Sequence, residues 1–382
     1  GLPNLRTDEG SFIQLPPAAF TDPGFDNSAG GTREDFTATI DWGDGNSEPA
    51  ADMALRETPG GEGVATRGTI QARHAYGDNG SYSVTVAVRD DDGGAATGTF
   101  TVTVDNVAPT LAGLPSLRTE EGGFIQLPPA AFTDPGFDNP AGGVREDFTA
   151  TIDWGDGTSE PAGDMALTEA LGGEGSLTRG TIQARHAYGD NGGYTATVTV
   201  RDDDGGVSSS TFTVAVSNVA PTVDAGRDQA AAAGGSVIVG GAIPVRTLAV
   251  LVPGEPRPRT IPIGPAEPVA IPPVSYSDPG FDNPAPNDPA KPTREDFTAL
   301  IDWGDATASI APDVALTEAS GREGVPTTGT ASAPHRYTAN GIYLFKPVVT
   351  DDDQGAGSSS MRITADVAPP ETCSGCHGTD PS

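Results

Sequence analysis

One long internal repeat constrains the fold of this chain more than any other feature. The segment LRTDEGSFIQLPPAAFTDPGFDN begins at Leu5 and returns almost unchanged from Leu117, 112 residues later. A third, more divergent copy carries SDPGFDN from Ser277 and REDFTALIDWGD from Arg294. A period of this length is that of a domain, so the sequence predicts three tandem domains of one fold.

A proline-containing motif closes each copy. It reads NVAPT at 106–110 and at 218–222, and DVAPP at 366–370. NVAPTLAG precedes LPSLRT in the second copy, whereas the chain opens at GLPNLRT; we therefore expect a start just after a processing site, or an origin in a longer array. The predicted domains are repeat 1 (1–109), repeat 2 (110–221), repeat 3 (222–368) and a C-terminal tail (369–382).

Within each copy the apolar residues alternate with polar ones. In FTATIDW, the side chains of Phe36, Ala38, Ile40 and Trp42 fall on one face, and YSVTVAVRD from Tyr82 alternates in the same way. Such a period of two is typical of strands with one buried face. Together with 51 Gly and 35 Pro, it predicts an all-β fold of short strands and turns.

The copies share WGDG (Trp42–Gly45), HAY (His74–Tyr76) and GSYSVTVAVRDDDG (Gly80–Gly93), with divergent forms in the third. In these motifs the chain resembles the PKD (polycystic kidney disease) domain over most of its length. The resemblance implies tandem immunoglobulin-like antiparallel β-sandwiches at an extracellular or cell-surface location. It does not fix a function, because PKD domains serve as adhesion modules, spacers and accessory domains of hydrolases.

The resemblance also assigns strands and loops. SFIQLPPAAF is expected as strand B, FTATIDW as strand C, YSVTVAVR as strand F and GTFTVTV as strand G. The stretch between WGDG and HAY is unusually long, and GGEG (Gly60–Gly63) is expected to be a hairpin turn within it. The BC and FG loops of such a sandwich lie at one end.

Repeat 3 carries an insertion at about 242–274 after an ordinary first strand pair at Val223–Gly241. Pro253 and Gly254 indicate the turn of an inserted hairpin. Two interpretations stay open: the hairpin covers its own domain, or it is an exposed arm that adds a strand to the sheet edge of a neighbouring subunit.

The net charge of −32 excludes some classes of partner. Nucleic acids and anionic membrane surfaces need cationic side chains, so neither is expected as a partner. No apolar run approaches the roughly 18 residues that span a bilayer, so no membrane span is expected. Clustered carboxylates instead favour hard cations such as calcium, which takes six to eight oxygen ligands.

Calcium is predicted where the acidic BC and FG loops meet. The alternative is that the loop aspartates are solvated turn residues, since Asp followed by Gly is common in turns. By analogy with cadherin repeats, calcium between successive domains would stiffen the array. Glu34 is expected to face the FG loop beside the predicted ligands, which are Asp22, Asp26, Asp35, Asp90, Asp91, Asp92, Asp134, Asp138, Asp147, Asp202, Asp203, Asp204, Asp278, Asp282, Asp296, Asp351, Asp352 and Asp353.

No motif indicates catalysis, and the chain is predicted not to be an enzyme. G-x-S-x-G, H-E-x-x-H and P-loop motifs are absent from the sequence. His74, His186 and His335 recur at one place in each copy, which favours a structural hydrogen-bonding role. The repetition of Asp41 and Asp44 favours scaffolding over glycoside hydrolysis.

The tail contains CSGCHG, with both cysteines of the chain. C-x-x-C-H is the attachment motif of c-type haem, in which Cys373 and Cys376 bind the porphyrin and His377 binds the iron. No haem pocket is encoded locally, so the second axial ligand is left open between Met361, His335 and a partner. The alternatives are a Cys373–Cys376 disulfide and half of a zinc site.

The sequence thus predicts an acidic, calcium-stabilised structural or adhesive repeat protein of the cell surface that carries haem c. Self-association, including filaments that space haems for electron transfer, or binding to other surface proteins is expected. One alternative is an accessory region of a larger secreted enzyme or cytochrome that binds polysaccharide or acts as a spacer. Another is an adhesion module with a disulfide in place of haem.

Overall fold

The computed structural model describes strands and turns over most of the three repeats. Among the residues described there is no helix, and hence none long and apolar enough to cross a membrane. The described residues are 2–27, 29–49, 54–161, 166–231, 236–239, 249–250, 259–260, 269–271, 273–288, 290–337 and 339–365.

Repeat 1 is a sandwich of two main sheets. One sheet has the order β1-β10-β9-β4-β5, and the other has the order β3-β7-β6, while β2 pairs with β8. The pairing is antiparallel except between β1 and β10, which run parallel. The strands are β1 (Leu5–Asp8), β2 (Phe12–Gln14), β3 (Ala18–Asp22), β4 (Phe36–Asp41), β5 (Ser47–Pro49), β6 (Ala54–Thr58), β7 (Thr66–Gln71), β8 (Arg73–Ala75), β9 (Gly80–Asp90) and β10 (Ala95–Asp105).

The core of repeat 1 lies between the two sheets. The alternating residues of β4 that the sequence predicts to be buried are buried, and Trp42 just beyond them is fully enclosed. Ile40 from one sheet and Ile70 from the other belong to the same apolar cluster. The predicted hairpin is also present, since Gly61 and Val64 form a bridge between β6 and β7.

The prediction of a single strand B is wrong. SFIQLPPAAF forms two strands that pair in different sheets, β2 with β8 and β3 with β7. Pro16 and Pro17 lie between them. Two successive residues without an N–H cannot continue a ladder, so the chain changes sheets at this point.

Repeat 2 has the same succession of strands. Its β14, β18 and β17 pair as β3, β7 and β6 do, and β11 adds a further strand on the free edge of β14. The strands are β11 (Thr110–Leu111), β12 (Leu117–Glu120), β13 (Phe124–Gln126), β14 (Ala130–Asp134), β15 (Phe148–Asp153), β16 (Ser159–Pro161), β17 (Ala166–Ala170), β18 (Thr178–Gln183), β19 (Arg185–Ala187), β20 (Gly192–Asp202) and β21 (Val207–Ser217).

Repeat 3 has this fold with additional strands. Its first strands are β22 (Thr222–Asp224), β23 (Gln229–Ala231), β24 (Ser236–Val239), β25 (Ala249–Val250), β26 (Arg259–Thr260) and β27 (Val269–Ile271). They are followed by β28 (Val274–Asp278), β29 (Phe297–Asp302), β30 (Ala308–Ser309), β31 (Ala315–Ala319), β32 (Thr327–Ser332), β33 (Pro334–Arg336), β34 (Gly341–Asp351), β35 (Ala356–Ser358) and β36 (Met361–Ala365).

The insertion contains the predicted antiparallel pair. β25 pairs with β26, and β27 pairs in parallel with β24. The proposed turn at Pro253 and Gly254 lies outside the described residues, and the two interpretations of the hairpin stay open.

The chain divides into two compact units whose bounds differ from those of the predicted repeats. One consists of Gly1–Ser116, Gln126–Arg185 and Thr195–Thr213; the other consists of Leu117–Ile125, His186–Tyr194 and Val214–Ser382. The three-domain division stays a prediction. The acidic clusters described next each lie within one unit.

Candidate metal sites at the repeat junctions

Each repeat brings acids of its BC and FG loops to one end. In repeat 1, one carboxylate oxygen from each of Asp22, Glu34 and Asp90 lies within 4.8 Å of the others. Asp22 is the last residue of β3 and Asp90 is the last residue of β9, so each of the two sheets places one of these acids at this end of the sandwich. The equivalent group in repeat 3 is Asp278, Glu295 and Asp351, all three of them buried.

At the junction of repeats 1 and 2 the cluster includes an acid that the loops do not supply. Glu9, in the turn after β1, lies with Glu146 and Asp204 of repeat 2 inside the same 4.8 Å limit. One oxygen of Glu9, Oε1, accepts the N–H of Val107 at 2.8 Å in the linker between the repeats. The linker therefore fixes the carboxylate of Glu9 against the loop end of the next domain.

The junction of repeats 2 and 3 is built in the same way. Glu121 is the counterpart of Glu9, and its Oε1 accepts the N–H of Val219 at 2.5 Å. Its carboxylate clusters with those of Asp190 and Asp353. Asp78, the counterpart of Asp190, interacts electrostatically with Asp204 at the first junction. The same arrangement thus occurs twice.

Several buried carboxylate oxygens at these junctions have no hydrogen-bond partner. Their residues are between 0% and 7% exposed. A buried unpaired oxygen is costly, and a bound cation would satisfy it. The oxygens are Glu9 Oε2, Asp134 Oδ2, Glu146 Oε1 and Asp202 Oδ2 at the first junction, and Glu121 Oε2, Asp278 Oδ2, Glu295 Oε2 and Asp351 Oδ2 at the second.

The other oxygens of the aspartates are held by the backbone and by the linker. Asp202 Oδ1 accepts the N–H of Gly206 at 2.6 Å and the side-chain amide of Asn106 at 3.2 Å. Asp134 Oδ1 accepts the N–H of Gly136 at 2.7 Å. Each carboxylate is thereby oriented by one oxygen and leaves the second one free.

Without a cation, burial and the neighbouring charges oppose ionisation of these carboxylates. Burial, followed by the charges of Asp134 and Glu9, raises the pKa of Glu146 to about 9. Burial also raises the pKa of Glu9 to about 8, despite the hydrogen bond from Val107. The second junction repeats both shifts, with pKa values of about 9 for Glu295 and about 8 for Glu121.

The chemistry of the donors fits calcium better than other metals. Calcium accepts several carboxylate oxygens in loose geometry, whereas zinc prefers His and Cys. Among the described residues the clusters consist of Asp and Glu alone. The residues that would hold the ion are Glu9, Asp134, Glu146, Asp202 and Asp204 at the first junction, and Glu121, Asp190, Asp278, Glu295, Asp351 and Asp353 at the second.

Other predicted ligands brace the loops. Asp26, Asp138 and Asp282 accept the N–H groups of Glu34, Glu146 and Glu295 at 2.9–3.0 Å. Their position orders the loop that carries the glutamate. Their role as ligands stays a prediction.

A second set of aspartates ties the BC and FG loops together. Asp91, Asp203 and Asp352 accept the N–H groups of Asp35, Asp147 and Asp296 at 3.2–3.4 Å. The carboxylates of Asp35, Asp147 and Asp296 in turn form ion pairs with Arg33, Arg145 and Arg294 at 2.9–3.3 Å. Asp92 is exposed and belongs to none of the clusters formed by the described residues.

Sequence analysis did not name Glu146 and Glu295 of the BC loops as ligands, and it missed a second set of acids at the opposite end of the preceding repeat. Glu9, Glu121, Asp78 and Asp190 lie in T-[DE]-E-G and Y-G-D-N-G, which repeats 1 and 2 share. Repeat 3 reads Y-T-A-N-G at the second motif. This difference between the copies was the available signal.

The histidines pack in the domain core as predicted. His74 Nε2 lies 2.9 Å from Asp44 Oδ2, and its ring stacks on Trp42 at 4.8 Å. His335 makes the same contacts with Asp305, at 2.8 Å, and Trp303. Burial opposes ionisation of Asp44, yet hydrogen bonds from His74 and Asn46 lower its pKa.

The predicted haem ligands Cys373, Cys376 and His377 lie outside the described residues. Of the two axial candidates within the chain, Met361 is 2% exposed in the core of repeat 3. His335 is engaged by Asp305. Ligation of iron by either side chain would require it to leave these contacts.

No family model matches the chain, and no curated protein matches it. Three titin domains, I67–I69 in an E-to-A mutated variant, align at 9% identity with a TM-score of 0.31, covering 96% of both chains. Mouse cadherin-23 EC22–24 aligns at 12% identity with a TM-score of 0.26, again covering 96% of both. The human desmocollin-1 ectodomain aligns at 11% identity with a TM-score of 0.23, covering 97% of this chain and 59% of that one.

These scores are low, so the fold rests on the strand pairing described above. That pairing makes the chain an all-β array of immunoglobulin-like sandwiches.

Proposed function

We propose that this chain is an extracellular structural or adhesive repeat protein whose successive domains are fixed to each other by calcium. The observation that carries this proposal is the set of buried, unpartnered carboxylate oxygens, which recurs at both junctions. Calcium would neutralise these groups and join a turn of one repeat to the loops of the next. A spacer or adhesion module needs this kind of fixed domain orientation.

Calcium-dependent stability tests the proposal. The chain is freed of metal with a chelator and melted with calcium, with magnesium or with neither. Calcium that binds only the folded state raises the melting temperature, by an amount that grows with its concentration. Magnesium is expected to act more weakly, because it demands a small octahedron and dehydrates reluctantly. Equal melting curves in all three conditions would refute calcium stabilisation.

The rows of exposed tryptophan that polysaccharide binding would favour are not present. Trp42, Trp154 and Trp303 are each fully buried. This supports a spacer or adhesive role within the class of surface repeats. Self-association and binding to other surface proteins remain the proposed kinds of partner.

A second function is carried by the C-x-x-C-H motif of the tail. We propose that Cys373 and Cys376 attach haem c, whose iron His377 would ligate, adding electron transfer to the structural role. The visible spectrum and intact mass of protein from its own host test this. A Soret band with sharpened bands on reduction, together with the mass of one covalent haem, supports it. A featureless spectrum with the mass of a disulfide supports the alternative.

A further inference from the structure

We infer that the loop end of repeat 1 is a docking surface for a β-sandwich repeat whose distal end resembles those of repeats 1 and 2. This loop end consists of Asp22–Asn27, Glu34, the hairpin tip Gly61–Val64 and the free edge of β3. The inference rests on the proposed function, since it assigns to this surface the kind of junction that the chain forms twice internally.

A phenylalanine shared by all three loop ends gives the first evidence. Phe137 and Phe281 are 6% and 7% exposed, and their N–H groups donate to the carbonyl oxygens of Gly77 and Gly189 in the preceding repeats, at 2.9 and 2.8 Å. Phe25 occupies the same place in the identical segment DPGFDN and is 36% exposed. A residue that is buried at both junctions is thus open to solvent here.

The asparagine two residues further on behaves in the same way. The side-chain amide of Asn139 donates to the carbonyl oxygen of Asp44 at 2.9 Å and to its carboxylate at 3.0 Å, so that it joins repeat 2 to the WGDG turn of repeat 1. Asn139 and Asn283 are both buried. Asn27 is exposed, and its side-chain oxygen accepts local N–H groups of Ala29 and Gly30.

The hairpin tip gives the third contact. In repeat 2 the equivalent tip reaches repeat 1, where Glu174 Oε1 accepts the N–H of Ala75 at 3.2 Å. Gly175 of this tip lies against the ring of Phe12. In repeat 1 itself, Glu62 and Val64 are exposed, the latter by 63%.

The sheet edge completes the comparison. β11, from the linker between repeats, pairs with β14 through Thr110 and Leu111, and β22 pairs with β28 in the same position. Among the described residues β3 pairs with β7 alone. Its free edge is a template for an added strand. Among the described residues, therefore, neither a domain nor a linker strand covers this surface as it does at the two junctions.

The chemistry of the surface selects its occupant. The acids of the loop end would share their cation with carboxylates of a partner at the positions that Glu9 and Asp78 occupy beside repeat 2. Repeat 3 carries Ala339 in place of Asp78 and Asp190. In the sequence of repeat 3, the segment A-A-A-G-G (231–235) carries Ala233 where T-D-E-G of repeat 1 carries Glu9. The occupant is therefore a repeat of the first two types and not the third repeat of a second copy.

A four-repeat chain tests the inference. A duplicate of residues 1–112 is joined ahead of the full chain, so that the period continues, and hydrogen exchange is compared with that of the unextended chain. The expected result is that amides of 18–27 exchange at least about tenfold more slowly once the added repeat is present. The number of bound calcium ions should rise by half, because the extended chain has three junctions where the unextended chain has two.

A matched variant separates docking from calcium binding. The added copy carries Glu9→Gln and Asp78→Asn, while the original repeats are unchanged. If slow exchange at 18–27 appears with the unaltered duplicate and is weakened in this variant, both docking and the shared cation are supported. If slow exchange appears although the chain binds no calcium at all, docking stands and the proposed calcium function fails.

Two results would overturn the inference. One is unchanged exchange at 18–27 in the four-repeat chain, although the added copy is folded and protected like the original repeat 1. The other is concentration-dependent protection of 18–27 in the unextended chain, since repeat 3 of a second copy would then be the occupant.

Discussion

A carboxylate oxygen of Glu9, in the turn after the first strand of repeat 1, lies within 4.8 Å of one of Glu146 in the BC loop of repeat 2. Both side chains are buried, and each has one oxygen without a hydrogen-bond partner. Two carboxylates from different domains approach in this way at low cost only if they share a proton or a cation. This relationship leads to the first two predictions.

Glu9→Gln is expected to act in opposite directions with and without calcium. In metal-free protein the amide relieves repulsion and leaves stability unchanged or higher. With calcium present, the ligand is lost, and the calcium-dependent rise in melting temperature falls by about half, since one of two junctions is affected. Asp8→Asn, one residue earlier and exposed, removes the same charge and should leave the calcium response intact. Thermal melts of both variants with calcium and with a chelator provide the measurement.

The metal-free chain should lose stability as the pH rises. Burial and neighbouring charges raise the pKa of Glu146 and of Glu295 to about 9, from about 4.5 for a glutamate exposed in the unfolded chain. The folded state therefore binds more protons than the unfolded state between these two pH values. Their stabilising contribution is complete below about pH 4.5 and is lost as the pH rises through about 9. Denaturant titrations at intervals from pH 5 to 9 in a chelator measure this slope. Saturating calcium should flatten this dependence on pH. If the free energy of unfolding of the metal-free protein instead increases from pH 5 to 9, the raised pKa values of the two glutamates are contradicted.

Gly68→Ala should destabilise repeat 1 by about 1–3 kcal/mol, because the added methyl group overpacks the core. A Cβ atom at this position would clash with the ring of Phe20. Gly61→Ala is the control, since a Cβ atom there meets nothing within 4 Å. Chemical denaturation of the two variants should show a shifted midpoint for the first alone.

Tyr76→Phe should cost about 1–3 kcal/mol by leaving a buried carbonyl group without its donor. The hydroxyl of Tyr76 donates to the carbonyl oxygen of Trp42 at 3.0 Å, and Tyr337 does the same for Trp303. Tyr82→Phe removes a hydroxyl that is only partly buried and bonds a loop carbonyl. Its cost should be smaller, and equal losses in both variants would show that burial of the hydroxyl does not matter.

The period of two identified the buried faces correctly because burial on a strand is a local property. Residues such as Ile40 and Trp42 follow from FTATIDW alone. The change of sheet at Pro16 and Pro17 was missed, since alternation on both sides of the prolines resembles one strand.

The candidate site was only partly predictable for a related reason. The fold of one repeat brings Asp22 and Asp90 together, and both were expected at the same end. Glu9 belongs to the opposite end, and only the packing of two domains places it against Glu146. Alternation and loop assignment within a single copy contain no information about that packing.

Direct measurement of calcium binding by the intact chain tests the central claim. Metal-free protein is titrated with calcium at pH 7.5 while native mass spectrometry counts bound ions and a weakly buffered sample records released protons. The account predicts saturable binding in equal numbers at two junctions, with proton release, because glutamates with raised pKa values must ionise to bind the metal. Folded protein that binds no calcium at millimolar concentration would contradict it.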